Sequence, residues 1–301
     1  MSEYWWNVRQ IIHKIASVKK KVVIMLEDVY PKVANLNKFI NRKSKFKLGR
    51  TYNYDDSYPL DNYVDLKYDS VEFLKFIEDM IELNKEYDVE IYGINELIDE
   101  YSKYRKIDVI EDNLDEIYIM YPEMKKDKSK FANFIIKNRK LMSHPSKFMA
   151  DFASYIHDVK KSFSIIIAHN EIVQISKLNG FKTMGYMLRK RYGYKYKCIG
   201  TASRRGMIKY IGDAVPLFKY YKQPDAVVFI DEGSLQRYLQ NRFTIKGTNI
   251  FKITGDSDLY YFTSGKFKPM RDIDKNRYRN IKYMDYLIYF YTIAPTHNLV
   301  L

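Results

Sequence analysis

Glu27 and His169 are the two side chains in this sequence whose types fit acid–base chemistry. Each stands at the carboxyl end of a short apolar run. Val22–Leu26 leads into Glu27 and Asp28, and Phe163–Ala168 leads into His169 and Asn170. Such runs read as buried strands, and open α/β sheets build their sites at the carboxyl ends of strands. A histidine titrates near neutral pH, and a carboxylate beside it can orient the ring for proton transfer. On neighbouring strands, Glu27 and His169 would form such a pair, with Asn170 and Asp28 at the rim. A third run, Ala226–Ile230, ends in Asp231 and Glu232, which would add to that rim. The plainer reading makes His169 a core-edge imidazole bonded to backbone and Glu27 a carboxylate capping the next helix.

Other constellations are less specific. Asp256 and Asp258, in Thr254-Gly-Asp-Ser-Asp258, resemble a carboxylate cluster that holds Mg²⁺ in a metal-dependent nuclease. The same residues also spell an ordinary turn. Arg139 and His144 have the spacing of a helical ribonuclease motif, but Pro145 ends the helix such a site needs. His13, His157 and His297 lack Cys or carboxylate partners at ligand spacing, so no zinc site and no cofactor is expected. Gly200–Gly206 is the nearest thing to a phosphate loop and lacks its pattern.

The elements that must position these residues follow from periodicity. Tyr4–Ser17 carries Trp5, Val8, Ile11, Ile12 and Ile15 on one helical stripe. Pro31 opens a helix to about Ile40, and Gly49–Asp69 reads as a long loop. Ser70 caps a helix to about Tyr87, Val89–Tyr92 is a strand stopped by Gly93, and Asn95 caps a helix to about Tyr104. Phe131–Leu141 and Ser146–Val159 are helices hinged at Pro145, which makes about 95–160 a helical insertion. In Ser162–Met207 the pattern is strand, loop, helix Phe181–Tyr192 closed by Gly193, then strand Lys195–Ile199 broken by Gly200: a crossover unit. Ile250–Thr254 is a strand, and Asn276–Tyr291 reads as a tyrosine-rich helix. The expected fold is a single α/β domain over residues 1–301, with a mostly parallel central sheet flanked by helices.

Composition sets outer bounds. Hydrophobic residues make up 46% of the 301, enough for a sizeable core. No apolar run is long enough to span a membrane, and Met1–Arg9 does not read as a signal peptide. The single cysteine, Cys198, forms no internal disulfide, so a cytoplasmic, reducing setting is expected. The net charge of +14 is concentrated between Lys182 and Lys222, where Asp213 is the only acid. Arg189, Lys190, Arg191, Arg204 and Arg205 in that stretch are candidate contacts to nucleic acid, or they form a solvated basic face.

In Ser162–Met207 the order of residues resembles the erythromycin esterase-like family. The features are the apolar strand ending Ala-His-Asn, then Met-Gly-x-x-Leu-x-x-x-x-Gly, then Tyr-x-x-Ile-Gly. Val22–Phe39 with Glu27, Pro31 and Asn37, Ser70–Gly93 with Asn84 and Tyr92-Gly93, and Asp225–Glu232 are similar to further family segments. Together they span roughly Ser2 to Leu239. The resemblance implies an ester-hydrolase ancestry in which Glu27 and His169 are catalytic positions. The departures are substantial. The family's Gly-Glu-x-x-His-Gly motif is absent, and Ser2-Glu3 lines up just past it. Its second histidine is replaced by Ile172, and its arginine–aspartate pair by Pro145-Ser146. A catalytically degenerate protein that acts by binding or within an assembly is therefore expected. A residual hydrolase and a nucleic-acid-binding protein or nuclease are the alternatives. The missing first strand would leave an open sheet edge, which invites a homo-oligomer or a protein partner; tyrosine, at 29 residues, is a residue type that interfaces favour.

Overall fold

A computed structural model describes residues 2–41, 47–48, 63–64, 71–95, 118, 122–178, 180–210, 213–216, 248–254, 258–263, 266–269 and 284–293. The chain forms two compact units, one built on Val8–His169 and the other on Asn170–Asn298. Its fold is α/β, with a parallel sheet flanked by helices.

The first unit takes in α1 (Ser2–Lys19) from Val8 onward and then β1 (Lys21–Val29). From Val22 through Leu26 every residue of β1 is at most 1% exposed, because the strand is the middle one of three and is covered on both faces. Helix α2 (Tyr30–Ile40) follows without a loop, with Pro31 in its first turn, where no backbone donor is needed. Two short strands pair in parallel, β2 (Lys47–Leu48) just before the stretch expected as loop and β3 (Tyr63–Val64) within it. Helix α3 (Val71–Leu83) buries Phe73, Phe76, Ile77 and Met80, and Arg9 and His13 of α1 reach its Asp79. Strand β4 (Asp88–Asn95) pairs in parallel with β1. The insertion continues through α4 (Pro122–Lys126), α5 (Lys130–Lys137), a 3-10 turn (Arg139–Ser143) and α6 (Pro145–Lys160). Phe148, Phe152 and Ile156 of α6 are fully buried; burial of such side chains contributes roughly 1.5–3 kcal/mol each. Strand β5 (Phe163–Ile167) completes the sheet in the order β4-β1-β5. Thus Val22–Leu26 and Phe163–Ile167 are neighbouring parallel strands; Ala226–Ile230 lies outside the described residues.

Gly93 does not stop its strand. Between Leu26↔Gly93 and Val29↔Asn95 the register slips by one residue, so Glu27 and Asp28 sit on a β-bulge. The bulge presses its carbonyls onto β4: a Cβ at Gly93 would lie 2.5 Å from the oxygens of both Asp28 and Val29. Glycine is needed for that approach, and the strand continues to Asn95; the helix expected from Asn95 to about Tyr104 lies outside the described residues.

Among the described residues, side chains rather than a strand meet the outer edge of β4. Val89 donates its backbone N–H to Asn84 Oδ1 at 2.8 Å, and Ile91 donates to Asn37 Oδ1 at 2.9 Å. Asn41 braces both, donating to the Asn37 carbonyl and accepting from Asn84 Nδ2. These two N–H groups are therefore already engaged within the chain.

The second unit starts with α7 (Asn170–Val173) and a hairpin of β6 (Lys177–Leu178) and β7 (Phe181–Lys182), where Gly180 takes φ 84°. Helix α8 (Met184–Tyr192) begins later than its apolar spacing suggests. Thr183 caps it, with Oγ1 accepting from Tyr186 N, and the preceding Phe181 is in the hairpin. Gly193 follows it into a 3-10 turn, Gly193–Lys195, so Lys195 is not in a strand. Strand β8 (Ile199–Tyr210) begins at Ile199 and runs straight through Gly200. Met284 packs where a Cβ at Gly200 would be, with its sulfur 2.2 Å from that position. The remaining strands are β9 (Asp213–Pro216), β10 (Thr248–Thr254), β11 (Asp258–Thr263), β12 (Lys266–Pro269) and β13 (Tyr286–Ile293). They form a mixed sheet ordered β12-β11-β10-β13-β8-β9, in which only β13 and β8 are parallel. Strand β8 therefore pairs with β13 and β9, and β5 with β1, so the stretch from β5 to β8 is not a crossover within one sheet.

The expected C-terminal helix is corrected over Tyr286–Ile293. Leu287, Ile288, Tyr289 and Phe290 are consecutively buried in a strand paired on both sides. The aromatic and β-branched run fits a doubly covered strand better than a helical stripe.

Candidate strand-end site

The bulge at the end of β1 aims Glu27 across to the end of β5. Leu26 pairs with Ile167, and beyond that pair Glu27 Oε2 accepts the backbone N–H of His169 at 2.7 Å. Glu27 is half-buried and His169 exposed. The structure thus brings the two candidate residues together at neighbouring strand ends, with the described hydrogen bond running to the main chain of His169. A carboxylate accepting from backbone N–H is a charge-assisted bond, stronger than a neutral one.

Asp28 is buried at 9% exposure, and its Oδ1 accepts from Val29 N at 2.7 Å. The next residue, Tyr30, anchors the strand end to the insertion. Its hydroxyl donates to Asp127 Oδ2 at 3.0 Å and lies 3.0 Å from Ser129 Oγ, the N-cap of α5. Burial, reinforced by the charge of Asp127, raises the Tyr30 pKa and keeps the phenol protonated as a donor. Composition gave no sign of Tyr30; its place directly after a strand end was the one available signal.

Asn170 opens α7 in the second unit. Its Nδ2 donates to the Thr201 carbonyl at 2.7 Å, and its Oδ1 accepts from Thr201 N at 3.1 Å. The side-chain amide thus pairs with the backbone of β8 as a strand residue would. Thr201 carried no sequence signal, since it takes part only through its main chain.

Asp231, Glu232 and Asp256 lie outside the described residues. Asp258 begins β11 opposite Thr254 of β10, the antiparallel relation expected of strands joined by a turn. Arg139 Nη1 donates to the Ile136 carbonyl, and Pro145 is the first residue of α6. Among the described residues no group of three or more His, Cys, Asp or Glu is placed to hold a metal ion. No described helix is long and apolar enough to cross a membrane.

The basic candidates divide. Arg189 pairs with Asp285, which also accepts from Cys198 N at 2.8 Å. Lys190 and Arg191 are exposed on α8. Arg204 and Arg205 belong to β8, and their side chains lie outside the described residues. Cys198 is buried, and its thiol is pushed up to about 12 by that burial and by the Asp285 charge.

No family model matches the chain, and no curated protein matches it. Two solved structures are similar. One, described as a succinoglycan biosynthesis protein, has a TM-score of 0.59 at 13% identity, over 97% of this chain and 85% of that one. The other, a protein from Bacillus cereus, has a TM-score of 0.56 at 15% identity, over 97% and 86%. At these identities the likeness shows the α/β fold alone.

Proposed function

We propose that this chain is a divergent erythromycin esterase-like protein that acts by binding, alone or within an assembly, rather than by ester hydrolysis. One observation carries the reading: Glu27, the candidate partner for a histidine base, spends Oε2 on the main chain of His169. Asp28 and Asn170 likewise serve backbone groups. These strand-end side chains brace the main chain at His169, Val29 and Thr201. The residues that carry the family resemblance fit this account. Asn37, Asn84 and Gly93 hold β4 in place, so they support a shared fold independently of catalysis.

A second reading rests on the proximity itself. Glu27 and His169 stand at adjoining strand ends, the placement from which a carboxylate and an imidazole would serve a residual hydrolase. Sedimentation of the full chain at micromolar concentration, run beside an ester assay, separates the readings. Self-association or a co-purifying partner without turnover is expected. A strict monomer with turnover dependent on both residues overturns the proposal.

A further inference from the structure

From Ile172 through Gly212 the chain contains ten Lys and Arg and no Asp or Glu. The described part of this stretch interleaves cations with aromatic rings. Lys177 Nζ lies 6.0 Å from the Tyr186 ring centroid. One turn further along α8, Arg189 lies 5.5 Å from the Tyr194 ring, and Lys197 Nζ lies 5.6 Å from the same ring. Tyr194 is nevertheless 83% exposed, and Phe181, on the hairpin beside Lys182, is 78% exposed. Neither ring contributes to a core. Asp285 engages Arg189 and, at 3.9 Å, Lys197. Lys182, Lys190 and Lys195 are exposed as well.

We infer that the β6–β7 hairpin, α8 and the 3-10 turn behind it form a binding surface for single-stranded nucleic acid. The inference names a ligand class for the binding role proposed above, but it rests on different residues. Exposed rings stack on bases whatever the sequence, and lysines beside them follow the phosphates. Cations seated against a ring also fix its orientation before a base arrives. An anionic membrane fits less well. The exposed apolar side chains flanking the turn, Leu178 and Phe181, do not make up the apolar helix face by which a segment enters a bilayer interface.

The test is fluorescence anisotropy of the full chain with a labelled oligouridylate of about 16 nucleotides, a length matched to such surfaces. Phe181→Ala and Tyr194→Ala remove exposed rings, so the fold should be unaffected, and circular dichroism checks that. Each should weaken binding by about 5- to 150-fold, the range for one lost stacking partner. Lys190→Ala should lower the slope of log affinity against log salt by about 0.7. No binding at low salt, binding unchanged in both ring variants, or binding to phosphatidylserine vesicles but not to the oligonucleotide overturns the inference. Loss of binding here with ester turnover still absent would leave the role of the strand-end residues standing.

Discussion

Glu27 Oε2 and the backbone N–H of His169 meet at 2.7 Å across the ends of two parallel strands. The bond ties the loop after β5 to the bulge of β1. Because it is charge-assisted but partly open to solvent, Glu27→Ala should cost about 1 kcal/mol, and Glu27→Gln, which keeps an acceptor, less. Urea unfolding measures the cost. Hydrogen exchange at the His169 amide should accelerate in the alanine variant; unchanged exchange would show that the carboxylate does not hold this loop.

The asparagine edge gives a second expectation. Asn37→Ala leaves the Ile91 N–H without its acceptor, which costs about 1–3 kcal/mol for a buried donor. It also bares part of a strand edge, so light scattering should report more self-association than in the parent. Asn37→Asp retains an acceptor oxygen and should lose less stability. Equal losses in the two variants would argue that the Asn37 acceptor does not matter.

Cys198 supplies a pH dependence. Its folded pKa, about 12, lies above the ordinary value near 9 because burial and then Asp285 disfavour the thiolate. Below about pH 9 both folded and unfolded states hold the thiol protonated. Between about pH 9 and pH 12 the unfolded state releases its proton first, so stability falls as pH rises through that window. Urea midpoints at about pH 7 and about pH 10 should show the fall, smaller in Cys198→Ala. Below that window the native thiol should resist thiol reagents until the protein unfolds. Rapid labelling of native protein at neutral pH would contradict the burial argument.

Legibility in the sequence varied with how local the cause was. β1 could be read because an apolar run in the middle of a parallel sheet is covered on both faces. β5 shows the same kind of run but lies at the edge of the described sheet, with Phe163 exposed and only Ile167 buried. The placement of Glu27 and His169 at the two strand ends followed. Gly93 and Gly200 misled because glycine normally breaks strands. Here each admits a neighbour, the bulge carbonyls in one case and Met284 in the other, and such contacts are long-range. Tyr286–Ile293 misled because a run apolar on every side satisfies helix and strand periodicity alike. Thr201 could not be read at all, since backbone groups leave no mark in residue identity.

The central claim concerns catalysis, and hydrolysis of a p-nitrophenyl ester by the full chain tests it most directly. Background hydrolysis is predicted, equal within error in the parent, Glu27→Ala and His169→Ala. Loss of a working base commonly lowers a rate by about a hundredfold to ten-thousandfold, so an active pair would be unmistakable. Turnover above background in the parent that disappears in both variants would contradict the account.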